Sequence, residues 1–498
     1  MKYRITVLPN KKTIMAEQGD LLMNVLSKNG YSIAAPCGGN GTCGKCKVWV
    51  VSDTEKKEPF ENGSYLYACK TYVDRDLTIF VNEQFGKGLD HFYGKQLKGE
   101  RCGFGIALDV GTTTLAACLV DLKTGEVIRK TSCLNPQGVL GADVLSRIRA
   151  CQDGKLQVLQ KLILNKTAKI LEELAMGQEI KELVVSANTT MLHLFLGVNP
   201  ESIGVAPFTP VFTETRYCTG KQLGLPVEKV RLLPSASGYI GSDITAGVLA
   251  CDIFQKGNST LFVDIGTNGE IVLCNQGNLY ATSTAAGPAL EGACIECGLG
   301  GVEGAIDRVH MCNGELIFTT IGSVEAKGIC GSGLIDLVAI LLAEKLIDEN
   351  GTWNEENDSN LAAKLKDEKF YLTDSVYVSQ KDIRQFQLAK AAIMAGIETL
   401  LYESGVVIDS VETLYIAGGL GFYLNIENAG CVGLLPNVLL PKVKLVGNTS
   451  LQGAILCLLK QVYQECIENI SKNTNVIELS CSKYFRDAYI DHISFGEE

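Results

Sequence analysis

A chain of 498 residues is roughly three times a typical domain, so two or more domains are expected, and 46% hydrophobic with 20% charged residues excludes a disordered or merely solvating chain. Forty-five basic against 56 acidic residues leave a net charge of −11, which offers no general field to nucleic acid or anionic lipid. No run reaches the roughly 18 apolar residues that cross a membrane, and the N-terminus lacks the basic-then-apolar pattern of an export signal, so a soluble cytoplasmic protein with no nucleic-acid or membrane partner is expected.

Near the start, Tyr3, Ile5 and Val7 alternate with Lys2, Arg4 and Thr6, and Pro9-Asn10 marks a turn before a second strand around Thr13 to Ala16. Asp20 is placed to cap a helix whose Leu21, Leu22, Val25 and Leu26 share one face, and Gly30 to end it. The 19 cysteines of so long a chain, with no export signal, indicate thiols or metal ligands in place of a disulfide scaffold. One group stands out by spacing: Cys37, Cys43 and Cys46 form C-x5-C-x2-C in PCGGNGTCGKC, and Cys69 follows after 22 further residues in YLYACK. Four thiolates suit one [2Fe-2S] cluster, and Gly38, Gly39, Gly41 and Gly44 let backbone amides wrap toward sulfur. Four cysteines also suit zinc, although zinc ribbons use two C-x2-C knuckles where this group has one knuckle and an x5 loop. The pattern resembles the β-grasp [2Fe-2S] ferredoxins, with five residues in the first gap where the plant type has four, and the strands KVWVV and LTIFV around Cys69 complete such a sheet. An α+β domain over residues 1–84, suited to one-electron transfer, is expected, then a linker at 85–101 without a sustained period.

Two phrases organise the rest, GIALDVGTTTLAACLVD at 105–121 and TLFVDIGTNGEIVLC at 260–274. In each an apolar strand ends on an aspartate, followed by glycine and hydroxyl or amide residues: Asp109, Gly111, Thr112, Thr113 and Thr114, then Asp264, Gly266, Thr267 and Asn268. Amides and hydroxyls at such a tip can approach phosphate oxygens, while the aspartate can hold Mg²⁺ through water. Ser186 to Met191 and Gly447 to Leu451 read as a further echo of a duplication. In LYIAGGLG, Gly418 and Gly419 follow a strand, where bare backbone can lie flat against an adenosine ring.

A single glycine turn is an ordinary hairpin, but three in this order resemble the ATPase superfamily of acetate and sugar kinases, actin and heat-shock chaperones. That resemblance implies two duplicated α/β, ribonuclease H-like lobes closing on Mg²⁺-ATP, placed at 102–259 and 260–498. No Walker A phrase occurs, and GGLG lacks the spacing of a dinucleotide fingerprint.

A [2Fe-2S] domain fused to this lobe pair resembles, over nearly the whole chain, the ATP-dependent reductive activators of corrinoid proteins. The resemblance implies an ATP-hydrolysing iron-sulfur enzyme that passes one electron to Co(II) in the corrinoid protein of a methyltransferase system, restoring Co(I). It also implies an upstream low-potential electron donor and a homodimer through the lobes. Asp109 and Asp264 are then expected to position Mg²⁺-ATP and the attacking water, with Thr112 to Thr114 and Thr267 to Asn268 on phosphate oxygens. Larger members carry an extra middle domain, where this chain has a short stretch at 82–101. The chain has four histidines and no D-x-H-x-x-G phrase, which assigns the corrinoid to the partner. A small-molecule kinase would share the same cleft, and a non-enzymatic ATP-gated redox sensor would share both parts. A dehydratase-type activator bridges its subunits with a [4Fe-4S] cluster, which C-x5-C-x2-C does not suit.

Asp143 and Glu270 are secondary candidates for orienting water, with solvated carboxylates as the plainer reading. Cys294, Cys297 and Cys330 read as buried thiols, His193 as a packed helix residue, and the helix after Ser379 and Asp382 as core.

Overall fold

The computed structural model describes residues 2–8, 12–29, 31, 33, 46–50, 65–80, 97–255, 257–354, 356–420 and 424–496. The N-terminal elements are β1 (Lys2–Leu8), β2 (Lys12–Glu17), α1 (Leu22–Lys28), β3 (Lys47–Val50), β4 (Tyr65–Tyr67) and β5 (Leu77–Phe80). They form one sheet in the order β2-β1-β5-β3-β4, in which β1 and β5 are parallel and the other pairs antiparallel. The alternation seen in β1 buries Ile5 and Val7 against Leu22 and Leu26 of α1 and Val48 and Ile79 of the sheet. Asp20 does not cap α1, because its carboxylate accepts from the Glu17 amide at 2.9 Å. The first helical amides, of Leu22 and Met23, donate instead to the carbonyls of Thr71 and Ala68, so the turn around Cys69 does the capping. Gly30, Cys37 and Cys43 lie outside the described residues, as does most of the expected linker.

The first lobe holds β6 (Phe104–Val110), β7 (Thr114–Asp121), β8 (Val127–Leu134), α2 (Val144–Gln152), α3 (Leu156–Ala175), β9 (Ile180–Ala187), α4 (Thr189–Leu196), β10 (Arg216–Thr219), α5 (Gly220–Leu223), β11 (Lys229–Leu232) and α6 (Ser242–Ala250). In the second lobe, β12 (Thr260–Ile265), β13 (Gly269–Asn275) and β14 (Asn278–Thr284) precede a small sheet of β15 (Ala305–Cys312), β16 (Glu315–Thr320) and β17 (Gly328–Ile329). Then come α7 (Gly331–Ala343), a second small sheet of β18 (Leu365–Lys366), β19 (Lys369–Tyr371) and β20 (Tyr377–Ser379), α8 (Gln380–Ser404), β21 (Thr413–Ala417), α9 (Ile426–Cys431), β22 (Val443–Gly447), α10 (Thr449–Leu459), α11 (Gln461–Asn473), β23 (Thr474–Val476) and α12 (Lys483–Asp491).

The strands β8-β7-β6-β9-β11 and β14-β13-β12-β21-β22 run in the same spatial order. In both sets the first three are antiparallel and the last two parallel to the centre, which is the duplicated architecture that the two aspartate hairpins imply. This order also corrects the second echo. The turn at Asn188 follows the fourth strand of its sheet, β9, whereas Asn448 follows the fifth, β22, so the two are not equivalent positions. They look alike because each Asn is an N-cap, accepting from Met191 and Leu451 amides at 2.9 and 2.8 Å. The true counterpart of GNTSLQG at 447–453 is GSDITAG at 241–247, which opens α6 with the same six-residue glycine spacing.

Those glycines let α6 and α10 cross closely between the sheets. A Cβ on Gly453 would lie 2.2 Å from the Ala246 carbonyl oxygen, and one on Gly247 would lie 2.7 Å from the Phe262 ring. One core spans the crossing, with Ala107 and Val184 from the first lobe and Phe262, Val272 and Tyr415 from the second. At the far end of α10, Arg231 and Arg101 donate to the carbonyls of Cys457 and Leu458 at 3.0 and 2.5 Å, and both guanidiniums pair with Glu182. The long helix α8 begins in the expected Ser379–Asp382 capping box and buries Ile383, Phe386, Ala389, Ile393, Ile397 and Leu400 completely. No helix among the described residues is long and apolar enough to cross a membrane.

Candidate functional site

Both aspartates stand at the ends of central strands facing the α6–α10 crossing. Asp109 of β6 lies opposite Ser186 of β9 and Ala116 of β7, and Asp264 of β12 lies opposite Ala417 of β21 and Glu270 of β13. The second sheet thus sets two carboxylates directly across from one another, an arrangement that costs stability unless a cation or a proton is shared. Asp243, in the first turn of α6, completes a cluster with Asp109, Asp264 and Glu270.

Their titration follows from burial and mutual repulsion. Burial raises Asp109 to about 6, opposed by hydrogen bonds from Ser450 and Asn448 at 2.8 Å each. Burial, then the charges of Asp109 and Glu291, raise Asp264 to about 7. Asp243 is pushed to about 8 by burial and then by Asp264 and Asp109, while burial followed by Asp243 and Asp264 carries Glu270 well above the ordinary range. Carboxyls that repel one another in a buried place are costly to a fold and mark a functional site; among the described residues no three of them are grouped closely enough to hold a metal ion directly.

The hairpin tips meet above this cluster. Thr113 and Thr267, from opposite lobes, both donate to the same oxygen of Glu291, at 2.9 and 2.7 Å. Two hydroxyls converging on one anionic oxygen describe the acceptor geometry a phosphate oxygen presents. Gly111 and Gly266 close their hairpins by donating to the Thr114 and Asn268 carbonyls at 3.0 Å each. Thr112 is occupied otherwise, its hydroxyl accepting from Asn188 at 3.0 Å and its carbonyl from Arg147 at 2.5 Å. Gly418, with φ +88°, is packed on the side a Cβ would take: that atom would lie 2.6 Å from both Asp264 Oδ1 and the Ile265 carbonyl oxygen. Gly419 does open onto free space.

Of the lesser candidates, Asp143 is the N-cap of α2, accepting from the Ser146 amide at 2.8 Å, and stands as a structural residue. Glu270 belongs to the carboxylate cluster. Cys294 and Cys297 are half-buried against the second-lobe core, and burial raises the Cys330 thiol at the start of α7. His193 is fully buried, with Nδ1 2.7 Å from the Thr189 carbonyl oxygen and its ring stacked on Phe212. Asp243 and Glu291 escape sequence reasoning, although the paired G-x5-G phrases hold the signal for Asp243.

In the N-terminal domain, the sulfurs of Cys46 and Cys69 lie 3.1 Å apart, Cys46 inside one apolar core and Cys69 at its edge. This separation is well beyond the roughly 2.05 Å of a disulfide and brings two of the four expected cluster ligands side by side.

Three family models divide the chain: the 2Fe-2S iron-sulfur cluster binding domain matches residues 5–74, the RACo middle region 104–256, and the C-terminal domain of RACo, the ASKHA domain, 258–498. The family's middle region in this sense is present, and it is the first lobe. A corrinoid activation enzyme, RamQ, of Eubacterium limosum is 34% identical over 422 residues, covering 79% of this chain and 70% of that protein. The [Co(II) methylated amine-specific corrinoid protein] reductase of Methanosarcina barkeri is 26% identical over 437 residues, covering 79% and 77%. Among solved structures, a reductive activator for corrinoid, iron-sulfur protein superposes with a TM-score of 0.73 at 28% identity, over 99% of this chain and 98% of that one. A [2Fe-2S]-binding domain, a nucleotide-binding ASKHA lobe pair and these relatives together place the chain in the RACo family of corrinoid-protein reductive activators.

Proposed function

We propose that this chain couples ATP hydrolysis to the one-electron reduction of a Co(II) corrinoid held by a partner protein. The observation that carries this reading is the union, in one chain, of two side-by-side cysteines of the cluster motif with two hairpins, from opposite lobes, that converge on one anionic oxygen beside a carboxylate cluster. Cys37, Cys43, Cys46 and Cys69 would hold the [2Fe-2S] cluster, which supplies one electron when bound, so that Co(II) becomes Co(I) as the cluster is oxidised by one. Neither a small-molecule kinase nor a dehydratase-type activator has use for this combination.

Asp109 and Asp264 are the residues for Mg²⁺, each through water, with Asn448 and Ser450 aiming Asp109 from the opposite lobe. Asp243, whose carboxyl holds a proton most readily of the three, is the group to take the proton of the attacking water, and a bound Mg²⁺ would supply the charge that keeps it ionised beforehand. Thr113, Thr267 and the Gly111 and Gly266 turns hold the terminal phosphates, with Thr114 and Asn268 closing the turns, and Gly419 borders the adenosine. For one electron each 59 mV of uphill potential costs about tenfold in equilibrium, a gap that differential binding of the partner's conformations, reset by ATP, can offset. Cytoplasmic location, an upstream low-potential donor, a homodimer through the lobes, and boundaries at 84, 101 and 259 complete the proposal.

The test is anaerobic. Reduced, cluster-loaded protein is mixed with a Co(II) corrinoid protein, with and without Mg-ATP, and the Co(I) absorption band is followed. Accumulation of Co(I) only with both ATP and an intact cluster supports the reading; ATP hydrolysis without reduction of any corrinoid protein tried, while a small-molecule phosphate acceptor is consumed, refutes it.

A further inference from the structure

The GADVLSRIR phrase and the turn before it have no part in the chemistry above, yet they sit between its two halves. Asn135 at the end of β8 grips the first phosphate hairpin: its amide donates to the Thr113 carbonyl and its Nδ2 to the Gly111 carbonyl, both at 2.8 Å. Arg147 of α2, fully buried, donates to the Thr112 carbonyl at 2.5 Å and to the Gly141 carbonyl at 3.0 Å. It lies within 4 Å of no carboxylate among the described residues, and its remaining nitrogen turns to Gln137 Oε1 and Met191 Sδ at 3.4 and 3.0 Å, so its charge is met by neutral acceptors. All three carbonyls behind the Gly111–Thr113 tip are therefore held by two side chains and one amide of a single segment.

That segment packs directly against the cluster domain. Asn135 also caps the short 3-10 turn Pro136–Val139, its Oδ1 accepting from the Gln137 amide at 3.0 Å, and Gln137 reaches the Leu159 carbonyl of α3 at 3.0 Å. Val139 is 8% exposed and belongs to the same buried cluster as Leu22, Val25 and Leu26 of α1 and as Cys46, with Leu140 and Leu162 packed at its edge. The turn is thus the seat on which the [2Fe-2S]-type domain rests.

We infer that Asn135 and Arg147 are positioning residues that tie the ATP-phosphate hairpin to this seat, so that nucleotide occupancy sets how the cluster domain is docked. The inference rests on the proposed nucleotide role of the hairpin and adds where its effect is delivered. Physically, phosphate drawn to the tip pulls on amides whose carbonyl sides are anchored to Asn135 and Arg147. A short capped turn transmits such a shift better than it absorbs it, and the coupling is reciprocal, so undocking the domain alters nucleotide affinity by the same factor.

The experiment measures amide hydrogen exchange in the full-length, cluster-loaded protein with and without Mg-AMPPNP, in peptides covering 111–114, 136–140 and 22–28. Wild type is expected to change exchange at the seat and in α1 by about threefold or more together with protection of the hairpin. In Asn135→Ala the hairpin gains protection while the seat and α1 no longer respond, and Val139→Ser weakens docking and shifts AMPPNP affinity by up to about tenfold, the range of one lost contact. Arg147→Lys restores charge without the fork and retains part of the response, which a merely structural role would not predict. The inference is overturned if the hairpin is protected while the seat and α1 exchange equally with and without AMPPNP. If the hairpin gains no protection at saturation, both the inference and the nucleotide role fall. ATP-dependent Co(I) formation with a nucleotide-blind seat defeats this inference alone; a responsive seat without Co(I) formation supports it and defeats the corrinoid reading alone.

Discussion

Asn448, at the start of α10 in the second lobe, donates to Oδ2 of Asp109 in the first lobe at 2.8 Å. With Ser450 on Oδ1 at 2.8 Å, the second lobe holds both oxygens of the first lobe's aspartate, so the site is complete only when the lobes are together. Both bonds favour the ionised form, against burial, which raises the carboxyl to about 6. In Ser450→Ala one of them is lost, Asp109 titrates higher still, and the acid limb of the pH–rate profile for ATP hydrolysis moves to higher pH while the cluster spectrum is unchanged. A profile that drops uniformly at all pH values would contradict this role.

Asp243 gives a prediction of opposite sign for stability and activity. Its charge is opposed by burial and by Asp264 and Asp109. Asp243→Asn removes a repelling carboxyl at nearly constant shape, so at pH 8 the thermal midpoint should rise by about 2–4 °C, the response to about 1 kcal/mol in a domain of this size. ATP turnover should fall at least about a hundredfold, as for loss of a general base. Retained turnover would remove Asp243 from the proton-transfer step.

The same cluster fixes how stability depends on pH. In the folded chain Asp109, Asp264 and Asp243 hold protons up to about 6, 7 and 8, whereas unfolded carboxyls release them near about 3.9. Between about pH 4 and 8 the folded state therefore binds more protons than the unfolded one, and the unfolding free energy falls as pH rises through this window. Mg²⁺ should flatten the fall, because it competes with those protons for the same oxygens. Thermal midpoints across the window, with and without Mg²⁺, test both statements; a cluster-independent trend would survive Asp264→Asn unchanged.

The two halves of the site should fail independently. Asp264→Ala is expected to abolish ATP turnover and keep the visible spectrum of the cluster, while Cys43→Ala does the reverse. Loss of both properties in either variant would show that the division between cluster domain and lobes is wrong.

What the sequence makes legible here is local. Asp109-Val-Gly111 and Asp264-Ile-Gly266 announce themselves because strand, carboxylate and turn are adjacent in the chain, and the C-x5-C-x2-C loop does so for the same reason. Asp243 and Glu291 do not, since each becomes part of the site only after distant segments meet: α6 through its crossing with α10, and Glu291 through hydroxyls 178 and 24 residues away. Asn188 and Asn448 mislead for a related reason. A helix N-cap looks the same after any strand, and only the spatial order of the strands reveals which turn it occupies.

Gly418, expected from the sequence beside the adenosine, carries a packing requirement behind Asp264 as well. Its backbone is left-handed at φ +88°, and the space a Cβ would fill is taken by Asp264 Oδ1 and the Ile265 carbonyl oxygen, each 2.6 Å away. Gly418→Ala must therefore either displace the aspartate or distort the end of β12, and a displacement of about 1 Å at a reacting group costs on the order of a hundredfold in rate. Neighbouring Gly419 meets nothing within 4 Å of its own added Cβ, so Gly419→Ala should leave the thermal midpoint unchanged and act on nucleotide binding alone. Steady-state kinetics separates the two: kcat for ATP hydrolysis falls in Gly418→Ala, and KM for ATP rises in Gly419→Ala. A Gly418→Ala protein with full kcat would mean that Asp264 tolerates movement, and it could not then be the residue that fixes Mg²⁺ and the attacking water.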